Sequence, residues 1–174
     1  MAASLEHTVL PAPEFDKPVK VLIVVSPYYS AIAAGLLAGA QAALEAAGAS
    51  HEVVQMPGAL EIPTAIGISD RNGNFDGYVA LGCVIRGETT HYETVCNDSS
   101  RALQLLGLQG LCIGNGILTV ETLAQAQVRA DPQGQNKGGG AALAALHLIA
   151  LGRKGFSSDK GVGFRPQGDD TLMA

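Results

Sequence analysis

Tyr78-Val79-Ala80-Leu81-Gly82-Cys83-Val84-Ile85-Arg86-Gly87-Glu88-Thr89-Thr90-His91 is the stretch that decides the fold. Its first half is continuously apolar, the pattern of a strand buried on both faces. Its second half is a charged turn rich in hydroxyls, and His91 then opens a helix. A doubly buried strand that runs through a turn into a helix is one unit of a parallel sheet covered on both sides. Thr90 with Glu93 reads as a capping box, which places His91 at the first helical position. There the unpaired N–H groups and the positive end of the helix dipole disfavour imidazolium and favour an anion. One reading is therefore a neutral, proton-accepting histidine beside a bound phosphate. The other is a surface histidine on a well-capped helix.

The alternation extends in both directions from this unit. Val19 to Val25 reads as a buried strand, and Ser30 to Ala47 as an Ala/Leu-rich helix ended by Gly48. His51 to Met56 is a second strand and Ala59 to Ser69 a helix, followed by Tyr78 to Val84 and a helix from His91 to Leu106. Leu111 to Leu118 is a fourth strand, Val120 to Ala130 a helix stopped by Asp131-Pro132, and Gly138 to Leu151 a closing helix. The pattern predicts an α/β fold: a single-domain three-layer α/β/α architecture with a four-stranded parallel sheet in flavodoxin-like order, over residues 19–153. Residues 1–18, with Pro11, Pro13 and Pro18, read as an extended N-terminal arm able to pair with a neighbour's sheet edge. Residues 154–174 carry no apolar period and read as a flexible C-terminal tail.

Of the 174 residues, 47% are hydrophobic and only 16% charged, enough apolar matter for one sizeable core and few charges to cover it. That shortage of charge predicts surface buried between subunits, hence a homo-oligomer. A net charge of −5 without a Lys/Arg cluster excludes nonspecific nucleic-acid binding, so an anionic ligand must be held locally. Cys83, Cys96 and Cys112 form no CxxC pair and no even disulfide set, which fits reduced thiols in the cytoplasm. Met1 to Leu10 carries Glu6 and His7 where a signal peptide needs an apolar run, and the run Ala141 to Leu151 is too short to span a bilayer, so no membrane role is expected.

In a doubly covered parallel sheet, ligands meet the carboxyl ends of the strands. Ser26-Pro27-Tyr28-Tyr29 follows the first strand, Pro57-Gly58-Ala59-Leu60-Glu61-Ile62-Pro63 the second, the turn to His91 the third, and Asn115-Gly116 is assigned to the fourth. Neither GxGxxG nor GxxxxGK[ST] occurs, which removes the sequence warrant for a dinucleotide or nucleoside triphosphate. Two tyrosines offer flat faces to a planar heterocycle, with Tyr28 the nearer to the strand and the chosen stacking residue; turn packing or a subunit contact explains them equally. Glu61, just inside a helix, could accept hydrogen bonds from ligand hydroxyls or simply satisfy the dipole. Arg129 and Lys137 have the ordinary positions of solvated cations, although Lys137 to Gly140 is a second helix N-terminus where an anion could rest. His7, His51 and His147 lack metal-ligand spacing, so no metal is expected.

With those residues in view, the chain resembles the lumazine synthase family from about Val19 to Arg153. The blocks that carry the likeness are Pro57 to Pro63, Leu81 to Tyr92, Leu118-Thr119-Val120-Glu121-Thr122, Gln125-Ala126, Arg129-Ala130 and Asn136-Lys137-Gly138. The resemblance implies a cofactor-free condensation of 5-amino-6-(D-ribitylamino)uracil with 3,4-dihydroxy-2-butanone 4-phosphate to 6,7-dimethyl-8-ribityllumazine. It implies that Tyr28, Ala59, Leu60, Glu61, Cys83, Val84, Ile85 and Asn115 hold the ribitylaminouracil. Glu88, Thr89, Arg129 and Lys137 would hold the butanone phosphate, and His91 would move the protons. It further implies a homopentamer with sites between adjacent subunits, in some relatives a decamer or an icosahedral shell of sixty, and association with riboflavin synthase. The chain departs from the commoner family pattern at Pro27-Tyr28-Tyr29, at Asn115 in place of an aromatic residue and at Gly140 in place of an acid. A non-catalytic flavin or lumazine binder, or a cage protein on the same fold, is the alternative; a flavodoxin-like electron carrier would need a better phosphate loop than Pro27-Tyr28-Tyr29.

Overall fold

The computed structural model describes residues 8–154. Within them the order is β1 (Lys20–Val25), α1 (Ser30–Ala46), β2 (Ser50–Gln55), α2 (Glu61–Asn72), β3 (Gly77–Ile85), α3 (His91–Leu108), β4 (Ile113–Val120), α4 (Leu123–Ala130) and α5 (Lys137–Arg153). The four strands pair in parallel in the order β2-β1-β3-β4, the flavodoxin-like order expected. The predicted tail lies outside the described residues apart from Lys154, as do residues 1–7 of the arm.

Apolar alternation along β1 shows why both faces must be covered. Val21, Ile23 and Val25 point to one side and pack with α1, α4 and α5 residues such as Leu36, Ala126 and Leu146. Leu22 and Val24 point to the other and pack with Ile62, Ile66 and Leu103 of α2 and α3. At the central strands β1 and β3 both sheet faces are covered, so the chain forms the predicted three layers. Tyr78, only 2% exposed, keeps its hydroxyl satisfied by donating to Asp70 Oδ1 at 3.1 Å. At the bottom of the sheet, Arg153 donates to Lys17 O at 3.0 Å, Pro18 O at 2.9 Å and Asp76 Oδ1 at 2.8 Å, fastening the end of α5 to the start of β1.

Among the boundaries that differ from the sequence reading, two bear on the clefts. Val120 closes β4 instead of opening a helix, because it pairs with Ile85, and α4 begins only after Thr122, whose side chain accepts from the Gln125 N–H at 3.3 Å. Ala59 and Leu60 stay outside α2, which Glu61 opens with Pro63 in the first turn, where its missing N–H costs nothing. The placement of α5 depends on glycine. A Cβ on Gly114 would overlap the Ala141 carbonyl, and one on Gly138 would overlap the Leu36 carbonyl, so α5 lies nearly against β4 and α1. Asn136, left-handed at φ 47°, makes the entry turn and caps α5 by accepting from the Gly139 N–H at 3.1 Å.

Gly114→Ala is therefore expected to destabilise the fold by about 3 kcal/mol, since backbone rather than a pliable side chain must move. Gly107→Ala in α3, where a Cβ meets nothing within 4 Å, is expected to be neutral or mildly stabilising. Denaturant unfolding of the two variants beside the parent checks the contrast.

Candidate functional site

The strand order turns outward in both directions from between β1 and β3, and their carboxyl ends frame a cleft of about 440 Å³. Ser26, Tyr28 and Tyr29 line it from the end of β1, and Gly58 to Glu61 from the turn before α2. Cys83, Val84 and Ile85 form its floor on β3, while Gly87, Thr89, His91, Tyr92 and Val95 close it from the turn and α3. Ser26, buried, ties two of these segments together: its N–H donates to Leu81 O at 2.9 Å and its hydroxyl to Pro57 O at 3.3 Å.

The two tyrosines are not equivalent. Tyr29 packs against the core and meets the Tyr28 ring edge-on at 5.1 Å between centroids, whereas Tyr28 is 74% exposed with a free face. Glu61 is the first residue of α2, and the bare Gly58 leaves room for its carboxylate, since a Cβ there would stand 2.8 Å from Oε2. Cys83 is nearly buried, and burial pushes its thiol up to about 11, so it is a protonated wall group and not a nucleophile. His91 opens α3 as expected, exposed at the rim.

The expected capping box does not form. Thr90 makes no side-chain bond to α3, and Glu93 turns instead to Arg86, because a charge-assisted bond to a guanidinium outcompetes a neutral cap. Thr89 partly substitutes, its hydroxyl accepting from the His91 N–H at a long 3.4 Å. Arg86 also donates through Nε to Glu121 Oε2 at 2.6 Å and lies 4.2 Å from the Tyr92 ring centroid. Hydrogen bonding to Arg86 holds the Glu93 carboxyl below its ordinary value, so as pH falls the tie outlasts the ionisation of an unpaired glutamate.

A second cleft, also of about 440 Å³, lies along β4, α4 and α5 and shares no lining residue with the first. Arg129, Lys137 and Asn115 line it, with Gly140 leaving its wall open, and no acidic side chain is among its residues. Arg129 donates to Gln125 O at 3.0 Å, and among the described residues neither it nor Lys137 forms an ion pair. Two unpaired cations without an acid give this pocket a positive potential, which favours an anion over a cation. Asn115 corrects the sequence reading: it lies within β4 and not after it, and its Oδ1 accepts the Ile117 N–H at 3.0 Å, an edge-strand donor. Of the residues singled out from sequence, twelve thus fall into two groups: Tyr28, Ala59, Leu60, Glu61, Cys83, Val84, Ile85, Thr89 and His91 in the first cleft, with Arg129, Lys137 and Asn115 in the second, while Glu88 is exposed on the turn and lines neither.

The sequence reading did not single out Tyr92, Val95 or Thr119, nor Arg86 as a tie; Tyr92 was signalled only by its place beside His91. Comparison with known proteins bears on what these clefts do. Residues 18–153 match the family model of 6,7-dimethyl-8-ribityllumazine synthase. A protein of that name from Jannaschia sp. is 61% identical over 157 residues, covering 90% of this chain and 88% of the relative. One from Novosphingobium aromaticivorans is 55% identical over 76% of this chain and 95% of its own length, and one from Methylobacterium radiotolerans 58% identical over 77% and 82%.

With its thiol pushed up to about 11, Cys83 should react with an alkylating agent at neutral pH about a hundredfold more slowly than a free cysteine. Site-resolved alkylation rates by mass spectrometry check this; a rate equal to that of free cysteine would show a thiol that burial does not suppress.

Proposed function

The chain belongs to the 6,7-dimethyl-8-ribityllumazine synthase family, and from that premise we propose how its two clefts perform the penultimate step of riboflavin biosynthesis. 5-Amino-6-(D-ribitylamino)uracil condenses with 3,4-dihydroxy-2-butanone 4-phosphate through an imine; phosphate leaves, the ring closes and water is lost. The observation that carries the proposal is the division of labour between the clefts. The first holds the histidine and the aromatic face but no Lys or Arg among its lining residues, and the second holds two cations and no proton-transfer group. Each has what the other lacks, so a complete site forms where the first cleft of one copy faces the second cleft of the next. A ring of copies, the homopentamer implied by the family, closes such head-to-tail contacts.

In that site Tyr28 stacks on the pyrimidine, the backbone of Cys83 to Ile85 meets its edge, and Ala59, Leu60 and Glu61 hold the ribityl chain. Glu61 accepts from ribityl hydroxyls, its carboxylate being already settled over Gly58. Arg129 supplies the main counter-charge to the phosphate, with Lys137 beside it and Thr89 donating from the turn; Glu88 serves only through its N–H, since its carboxylate would repel the anion. Asn115, with Oδ1 occupied, offers its Nδ2 donors to the heterocycle. His91, at the positive end of α3, takes and returns protons as the imine forms and phosphate departs. Orientation of two reactants accounts for much of the acceleration, since it can supply about 7 to 11 kcal/mol. Three unpaired cysteines support a reducing compartment, the cytoplasm.

His91→Ala is expected to lower kcat about a hundredfold and leave assembly intact, as measured by product formation. Arg129→Ala is expected to lose most activity. Co-assembling the two inactive variants tests the shared site: roughly a quarter of random contacts then join an intact His91 to an intact Arg129, so activity returns to about that fraction. Failure of mixed assemblies to regain any activity would place both residues in one subunit's site and overturn the proposal.

A further inference from the structure

We infer that Arg86 is a positioning residue: through Glu93 and Glu121 it fixes the turn from Gly87 to His91, and with it the phosphate-facing half of the cleft. The inference rests on the reaction assigned above and deepens it. The turn has little to hold it from within. A Cβ on Gly87 would meet nothing within 4 Å, Thr90 makes no cap bond, and the Thr89 to His91 bond is long. Its anchorage comes from the residue at its start. The Arg86 N–H donates to Val120 O at 3.0 Å, Nε donates to Glu121 Oε2 at 2.6 Å, Nη1 donates to Glu93, and the guanidinium covers the Tyr92 ring at 4.2 Å.

One side chain therefore clamps the start of the turn to the helix that follows it and to the end of the neighbouring strand. An isolated exposed ion pair would do little of this, but a guanidinium shared by two carboxylates and an aromatic face is a network with a fixed geometry. Lysine cannot replace it, because its single ammonium lacks the planar fork that satisfies both carboxylates from one position. The same scaffold continues to the second cleft: the Glu121 N–H donates to Gln125 Oε1 at 2.9 Å, and Gln125 O receives Arg129 Nη1 at 3.0 Å.

The role makes a selective prediction. Thr89 and His91 depend on the turn, whereas Ala59 to Glu61 and Tyr28 stand on other segments. In Arg86→Met, kcat/KM for the butanone phosphate falls about tenfold to a hundredfold, through a lower kcat and a higher KM, while KM for the ribitylaminouracil stays unchanged. Arg86→Lys does not restore activity, and Glu121→Gln, which keeps the shape of its site, shows the same split to a smaller degree. Hydrogen exchange of the assembled protein, which needs no activity, speeds up in Arg86→Met across residues 87–91 and not in β1 or α5. Equal rises in both KM values, full rescue by lysine, or unaltered exchange in the turn would each overturn the inference. A wild type that fails to accelerate the condensation would overturn the assigned reaction instead, and the exchange measurement would then decide Arg86 by itself.

Discussion

Strands β1 and β3 are buried on both faces, and a parallel sheet covered in this way leaves only its strand ends and its edges for chemistry. The first cleft uses the strand ends, where the order turns between β1 and β3. The second uses the β4 edge, between that strand and the helices that close over it. His91 and the two cations, Arg129 and Lys137, are thereby put in different places by the topology itself. The division follows from the covering of the sheet.

Small residues set the precision of this layout. Gly114 and Gly138 let α5 approach β4 and α1 until backbone meets backbone, and Lys137 sits at the start of that helix as a consequence. Asn136 adopts its left-handed turn one residue earlier and is secured by the Gly139 N–H, so the lysine departs from a rigid point. On the other side, Ser26 holds the β1 end to Pro57, and the turn before α2 is placed by that bond and by Gly58. Both clefts are built on segments whose backbone has few alternatives, which is what a reaction dependent on orientation requires.

Much of this was legible in the chain. Apolar runs located the central strands β1 and β3, and the alternation of strand-like and helical segments placed β2 and β4 and gave the layers and the sheet. The errors have specific causes. Thr90 and Glu93 had the spacing of a capping box, but the partner that claims Glu93 is a guanidinium whose other tie is to Glu121, just past the end of β4, and local spacing cannot register a competitor brought in by the fold. Val120 is apolar and fits a helix start or a strand end equally; only its pairing with Ile85 decides. Asn115 looked like a loop residue because asparagine favours turns, yet on an edge strand it satisfies the Ile117 N–H that no neighbouring strand reaches. Arg129 and Lys137 were ordinary cations in sequence, and it is their meeting in one acid-free cleft that gives them a chemical meaning.

The most direct test of the shared site is a crystal structure of the wild-type assembly with a phosphate-bearing analogue of the reaction intermediate. One ligand is expected to span two subunits, its ring against Tyr28 and beside His91 of one copy and its phosphate on Arg129 of the next. A ligand whose ring and phosphate are both held by a single copy, with the second cleft empty, would contradict it.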